Sequence, residues 1–209
     1  MIAEPIERSG LPILGVILAG GMSRRYGRDK ALASLDGVPL LQWVIDRIRP
    51  QVDVLALSGA ARPEFALPAI PDGVDGAGPL AALCSILAWA EDRDILLVAT
   101  FSCDTPFLPR NVVNVLGTAL DATFDCAVAN CAGVAHPTCA LWRTASCARI
   151  KTAFEAGIRS LHGAIGHINA AAADFPVQPV GPGGDPFFNI NSERDMIVAQ
   201  AWLDESRKT

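Results

Sequence analysis

The sequence predicts an α/β fold, a mostly parallel sheet in three layers with helices on both faces. Short apolar runs without alternation recur along the chain, as strands buried on both sides require. Between them lie stretches with apolar residues three and four apart, the stripe of a helix packed along one side. Strands that alternate with helices connect through right-handed crossovers, which make neighbouring strands parallel. At 209 residues the chain is sized for one domain, 1–209.

Residues 1–10 are polar and read as a flexible N-terminal tail. Ile13-Leu14-Gly15-Val16-Ile17-Leu18-Ala19 is a continuous apolar run ended by Gly20 and Gly21, hence the first buried strand. Pro39 opens a helix with Leu40, Leu41, Val44, Ile45 and Ile48 on one side and Asp46, Arg47 and Arg49 on the other, stopped by Pro50. A second strand follows over 52–57, and residues 59–78, rich in Pro and Gly, form an irregular connection. Leu80, Leu83, Ile86, Leu87 and Ala90 give 79–90 a helical stripe. Residues 94–99 form a third strand that runs into the turn Ser102-Cys103-Asp104-Thr105-Pro106. Helix 109–120, strands 125–130 and 138–142, and helices 144–156 and 160–168 continue the alternation. Ser192 starts a C-terminal helix with acids in its first turn. In such Rossmann-like sheets, ligands bind beyond the carboxyl ends of the strands.

With 51% hydrophobic residues and a net charge of −5, from 17 Lys+Arg against 22 Asp+Glu, the chain is neither disordered nor basic enough for nucleic acid. A polyanionic ligand must therefore be met by a local cluster of positive groups. Six cysteines, with no Cys-x-x-Cys pair and no His at zinc-ligand spacing, read as reduced thiols of a cytoplasmic protein. Glu4 and Glu7 stand where a secretory signal carries basic residues. No run reaches the roughly 18 to 20 apolar residues of a membrane span.

The positive cluster is found in Leu18-Ala19-Gly20-Gly21-Met22-Ser23-Arg24-Arg25-Tyr26-Gly27-Arg28-Asp29-Lys30, which leaves the first strand. Adjacent glycines let successive amides converge on phosphate oxygens, and four cations within seven residues supply charge. The spacing is neither that of the P-loop nor that of the dinucleotide fingerprint. The glycines alone also fit an ordinary turn; together with the charges they favour a triphosphate cradle. Asp104, at a strand terminus, is placed either to hold Mg2+ or to cap a common Asp-x-Pro turn. Cys103 beside it has no neighbouring base and reads as packing. Asn189 and Asn191 share a face of an extended segment, as part of a metal or phosphate shell or as turn and cap formers. Asp29, Asp72, Asp75, His136-Pro137-Thr138 and Arg159-Ser160 each also read as ordinary loop residues.

Taken together, Leu-Ala-Gly-Gly-x-Ser-x-Arg-x-Gly-x-Asp-Lys over 18–30, Leu35, Gly37, Pro39-Leu40, Pro50-Gln51, Gly78-Pro79-Leu80, Cys103-Asp104-Thr105-Pro106, His136-Pro137-Thr138 and Asn189-x-Asn191 carry a family likeness. In their order and spacing the chain resembles the molybdenum cofactor guanylyltransferases, within the wider group of Gly-rich-loop nucleotidyltransferases. The resemblance implies the nucleotide-diphospho-sugar transferase-like type of sheet. It implies GTP and molybdopterin as substrates and Mg2+ as cofactor, and hand-over contacts with cofactor-synthesis proteins and apo-molybdoenzymes. It puts Leu18, Ala19, Gly20, Gly21, Ser58 and Asp72 on the nucleotide, and Arg25 and Lys30 on its phosphates. Asp104 then serves as metal ligand, and Asn189 and Asn191 lie near the pterin phosphate and the metal. Two positions depart from the family pattern: Tyr26 stands where Met is usual, and Ser58, with one donor fewer, where Asn is frequent. Leu-Ala-Gly-Gly favours the guanylyl branch over the cytidylyl enzymes. The residues by themselves leave open a cytidylyl or sugar-phosphate nucleotidyltransferase and a non-catalytic nucleotide-binding module.

Overall fold

The computed structural model describes residues 11–19, 29–73, 78–177 and 180–208. Gly20, Gly21 and Arg25, together with Tyr26, Asp75 and the tail 1–10, lie outside the described residues.

The elements follow in the order β1 (Ile13–Leu18), β2 (Ser34–Leu35), β3 (Val38–Pro39), α1 (Leu40–Ile48), β4 (Val54–Ser58), β5 (Ala69–Ile70), α2 (Pro79–Glu91), β6 (Leu97–Ser102) and α3 (Val112–Ala119). Then come β7 (Cys126–Cys131), β8 (Val134–Arg143), α4 (Cys147–Glu155), α5 (Leu161–Ile165), β9 (Ala170–Phe175) and α6 (Glu193–Ser206). Seven of these strands form one sheet in the order β5-β4-β1-β6-β8-β7-β9. Only β8 runs against its neighbours, so the sheet is mostly parallel, as the sequence predicts.

Both faces are covered because alternate residues of each strand point opposite ways. Ile13 and Ile17 of β1 pack with Leu41, Val44 and Ile48 of α1 and with Val112 and Leu116 of α3. Leu14 and Val16 pack on the other face with Leu80, Leu83 and Leu87 of α2, and with Ile150 and Leu161 beyond. A third cluster, Leu35, Leu40, Phe107, Ile190, Ala199 and Leu203, seats α6 against the β2-β3 hairpin. That hairpin turns through Asp36 (φ 55°) and Gly37 (φ 77°), the two positive φ values of a type I′ turn, which an Asp-Gly pair adopts readily.

Several elements differ from the sequence expectation. The third strand is β6, starting at Leu97, because Asp94 (φ 56°) belongs to the turn that closes α2. The irregular connection contains the short β5, and β8 starts at Val134 and so takes in His136-Pro137-Thr138. β9 is an additional strand, parallel to β7.

After β1 the chain adds β4 and β5 on one side, then returns with β6 on the other side of β1. The carboxyl ends of β1 and β6 therefore flank a topological switch point, where open α/β sheets leave a crevice. Leu18 is in register with Ser58 of β4 and Ser102 of β6, so the three residues form one row along that edge.

Candidate active site at the switch point

Asp104 follows β6 by two residues and is 8% exposed. Ser102 Oγ donates to Asp104 Oδ1 at 2.6 Å, and Thr105 Oγ1 donates to the Ser102 carbonyl at 2.9 Å, so the turn fixes the carboxylate's direction. Its second oxygen, Oδ2, forms an ion pair with Lys30 Nζ. Lys30 opens a single 3₁₀ turn, Lys30–Leu32, whose N-cap is Asp29: Oδ1 of Asp29 accepts from Ala31 N at 3.1 Å.

Lys30 Nζ also donates to Asn191 Oδ1 at 2.6 Å. Asn191 is delivered by two restraints. Ile190 N donates to the Asp104 carbonyl at 3.0 Å. Asp195, in the first turn of α6, accepts from Asn191 N at 2.9 Å and from Ser192 Oγ at 2.8 Å. Ser192 is the helix cap, accepting from Asp195 N at 3.2 Å. Asn189, two residues upstream, is half-buried, and among the described residues none hydrogen-bonds its side chain.

On the other side of β1, Ser58 is buried and its hydroxyl donates to Asp72 Oδ1 at 2.7 Å. The short side chain at this position thus holds a carboxylate, and Ser58 and Asp72 act as one unit. Leu18 and Ala19 are half-buried at the end of β1. Lys30, Asp104 and Asn191 are brought together, and so, separately, are Ser58 and Asp72.

Sequence reasoning missed Ser102, whose signal is its position two residues before Asp104. It also missed Arg62, which donates to both carboxylate oxygens of Asp29, at 2.5 and 3.1 Å, and reaches the Ala19 carbonyl at 3.4 Å. Burial, and after it the Asp104 charge, push the Cys103 thiol up to about 12, so this cysteine stays protonated and packs, as expected. His136 stacks on Phe187 with ring centroids 4.7 Å apart, and its buried Nε2 meets no partner among the described residues. Burial lowers its pKa, against the opposing pull of Asp185. Arg159 is engaged elsewhere: its carbonyl accepts from Leu80 N at 3.2 Å, against Gly78 (φ 89°), where a Cβ would come within 2.9 Å of that oxygen.

Among the described residues no group of three or more His, Cys, Asp or Glu is arranged around a metal position. The donors at Asp104 nevertheless suit a hard cation that shares its shell with substrate. Asp104 and Asn191 converge oxygens on one positive atom, Lys30 Nζ, and Mg2+ commonly takes one or two protein carboxylates plus phosphate oxygens.

A doubly wound sheet whose switch point joins a lysine, a carboxylate and an amide oxygen places the chain in the doubly wound α/β class, whose ligands bind in that crevice. The MobA-like NTP transferase domain matches residues 15–169. The molybdenum cofactor guanylyltransferase of Rhodobacter capsulatus is 38% identical over 199 residues, covering 93% of this chain and 98% of that protein. Its counterpart in Rhodopseudomonas palustris (strain HaA2) is 40% identical over 195 residues, covering 88% and 89%. In fold, the chain is similar to the crystal structure of molybdopterin-guanine dinucleotide biosynthesis protein A from Archaeoglobus fulgidus. That similarity has a TM-score of 0.70 at 22% identity and covers 92% of this chain and 99% of that one. The chain belongs to the MobA-like NTP transferase family.

Proposed function

We propose that this protein transfers GMP from GTP to the terminal phosphate of molybdopterin, releasing pyrophosphate and leaving a guanine dinucleotide. The names of its relatives favour this reaction, and one observation carries it to this chain. Lys30 meets Asp104 and Asn191, which are 74 and 161 positions away in sequence, at the switch point of the sheet.

A phosphate monoester has a second pKa near 6, so the acceptor is anionic at pH 7 and needs no general base. An acceptor phosphate oxygen bonds to the α-phosphorus of GTP as the bond to the bridging oxygen breaks, and that oxygen leaves with pyrophosphate. What the site must do is align two polyanions and offset their repulsion. Lys30 supplies positive charge beside the phosphates, Ser102 keeps the Asp104 carboxylate aimed, and Asp72, held by Ser58, contacts the nucleotide. Asp104 and Asn191 would hold Mg2+, which when bound neutralises phosphate charge. Arg25 belongs to the phosphate side and Asn189 to the pterin side of this reading. A labile pterin is passed directly from cofactor-synthesis proteins and on to apo-molybdoenzymes. The free thiols fit a reducing cytoplasm, and among the described residues no helix is long and apolar enough to cross a membrane.

The test is pyrophosphate release by the purified protein with molybdopterin, Mg2+ and each of GTP, CTP, ATP and UTP. Turnover with GTP well above the others is expected. Preference for CTP, or GTP binding without pyrophosphate release, would replace the reading with a cytidylyl enzyme or a non-catalytic module.

A further inference from the structure

We infer that Arg62 is a positioning residue for nucleotide transfer, clamping Ala19 to Asp29 so that Lys30 is presented to Asp104. The inference rests on the nucleotidyl-transfer reading and extends it to a residue outside the Gly-rich motif.

Arg62 lies in the connection between β4 and β5, beyond Ser58, in a stretch of Ala and Pro without a motif. Its side chain is nonetheless only 15% exposed, whereas that of Asp29 is 43% exposed. The guanidinium makes three contacts with two partners. Nη1 donates to Asp29 Oδ2 at 2.5 Å, and Nη2 donates to Asp29 Oδ1 at 3.1 Å and to the Ala19 carbonyl at 3.4 Å. One planar group thus holds both Ala19, the residue after β1, and Asp29, the cap of the turn that carries Lys30. The Asp29 carboxylate is shared: the oxygen that accepts from Nη2 also caps the 3₁₀ turn through Ala31 N. The orientation of the turn that carries Lys30 is therefore tied to Arg62. The clamp stands next to the candidate site, since Asp29 directly precedes Lys30, whose ammonium pairs with Asp104 and donates to Asn191 Oδ1 at 2.6 Å.

The arrangement requires arginine. A lysine is a point charge without the planar fork that matches two carboxylate oxygens and a carbonyl at once. An ion pair with so exposed a carboxylate adds little stability, so the effect falls on alignment, where displacement by about 1 Å costs up to 100-fold in rate.

The experiment compares Arg62→Ala, Arg62→Lys, Asp29→Asn and the double variant Arg62→Ala/Asp29→Asn, measuring GTP affinity by calorimetry, kcat and KM for GTP, and the melting midpoint. Asn at 29 keeps an oxygen for the cap while removing the charge. Each of R62A and D29N should lower kcat/KM roughly 10- to 100-fold, with the midpoint within about 2 °C of the parent. The double variant should be no worse than the worse single, because the two residues act through one contact, and R62K should recover part of the loss. Multiplying losses in the double variant would overturn the proposal, since Arg62 would then act on substrate directly. Unchanged kinetics, or losses that simply follow a fallen midpoint, would overturn it as well. If the parent itself releases no pyrophosphate, the transfer reading fails while the clamp is still decided by GTP affinity, which R62A should weaken several-fold and which an unaltered value would refute.

Discussion

Lys30 and Asp104, 74 positions apart, form an ion pair in which each side chain is only 12% exposed. The pair joins the segment leaving β1 to the turn leaving β6, and it couples the stability of the sheet edge to its chemistry. Lys30→Ala or Asp104→Ala should cut turnover on the order of 10²–10³, the usual effect of losing one preorganised electrostatic group. Each single variant also strands a mostly buried charge, costing about 1–3 kcal/mol. The double variant K30A/D104A should therefore melt above the less stable single variant while remaining as inactive as either. Calorimetry beside a pyrophosphate assay checks both halves; near-normal turnover in either single variant would remove the pair from the site.

Ser58→Ala tests the nucleotide side of the proposed reaction. The Ser58 hydroxyl is the donor that orients Asp72, at 2.7 Å, and its removal leaves that carboxylate free to rotate. GTP affinity should weaken roughly tenfold, since a hydrogen bond to a charged group is worth about 1.5–3 kcal/mol. Affinity for pyrophosphate alone should hold, which titration of the two ligands separates.

Much of this architecture is legible in the sequence, and the exceptions have physical causes. β1 stands out because burial on both faces leaves it without polar residues. β9 does not, because Ala170–Ala173 are strong helix formers that become a strand only by pairing with β7. His136-Pro137 reads as a loop because proline interrupts a ladder. It is tolerated where β8 extends past its pairing with β6 and its pairing with β7 is irregular at Val128/Ala129. Within the site, Lys30, Asp104 and Asn191 follow from motif order. Arg62 has no such signal, because its partners Ala19 and Asp29 are distant in sequence and only the fold brings them to it.

Thr100→Val probes the core beneath the site. Trp142 and Thr100 are both fully buried, and the indole Nε1 donates to Thr100 Oγ1 at 2.9 Å. Valine fills the same volume but leaves the indole N–H unpaired, costing about 1–3 kcal/mol. At roughly 2–4 °C per kcal/mol for a chain of this size, the melting midpoint should fall by several degrees. Turnover below the transition should be unchanged, because both groups are fully buried and bonded to each other, with no hydrogen bond to Lys30, Asp104 or Asn191 among the described residues.

The pH response should expose His136. Burial lowers its pKa in the folded protein below the ordinary value of 6.5, while the Asp185 carboxylate opposes this without reversing it. Between the two values the unfolded chain binds a proton that the folded protein does not, so stability falls as acidity increases. The contribution is fully present above about pH 6.5 and is lost as the pH drops toward the folded-state value. The parent melting midpoint should therefore decline through this window, and His136→Gln should flatten that part of the profile while leaving the decline below about pH 4, where carboxylates such as Asp29 protonate. Parallel profiles for the two proteins between pH 7.5 and 5.5 would mean that the imidazole ionises as freely in the folded state as in the unfolded chain.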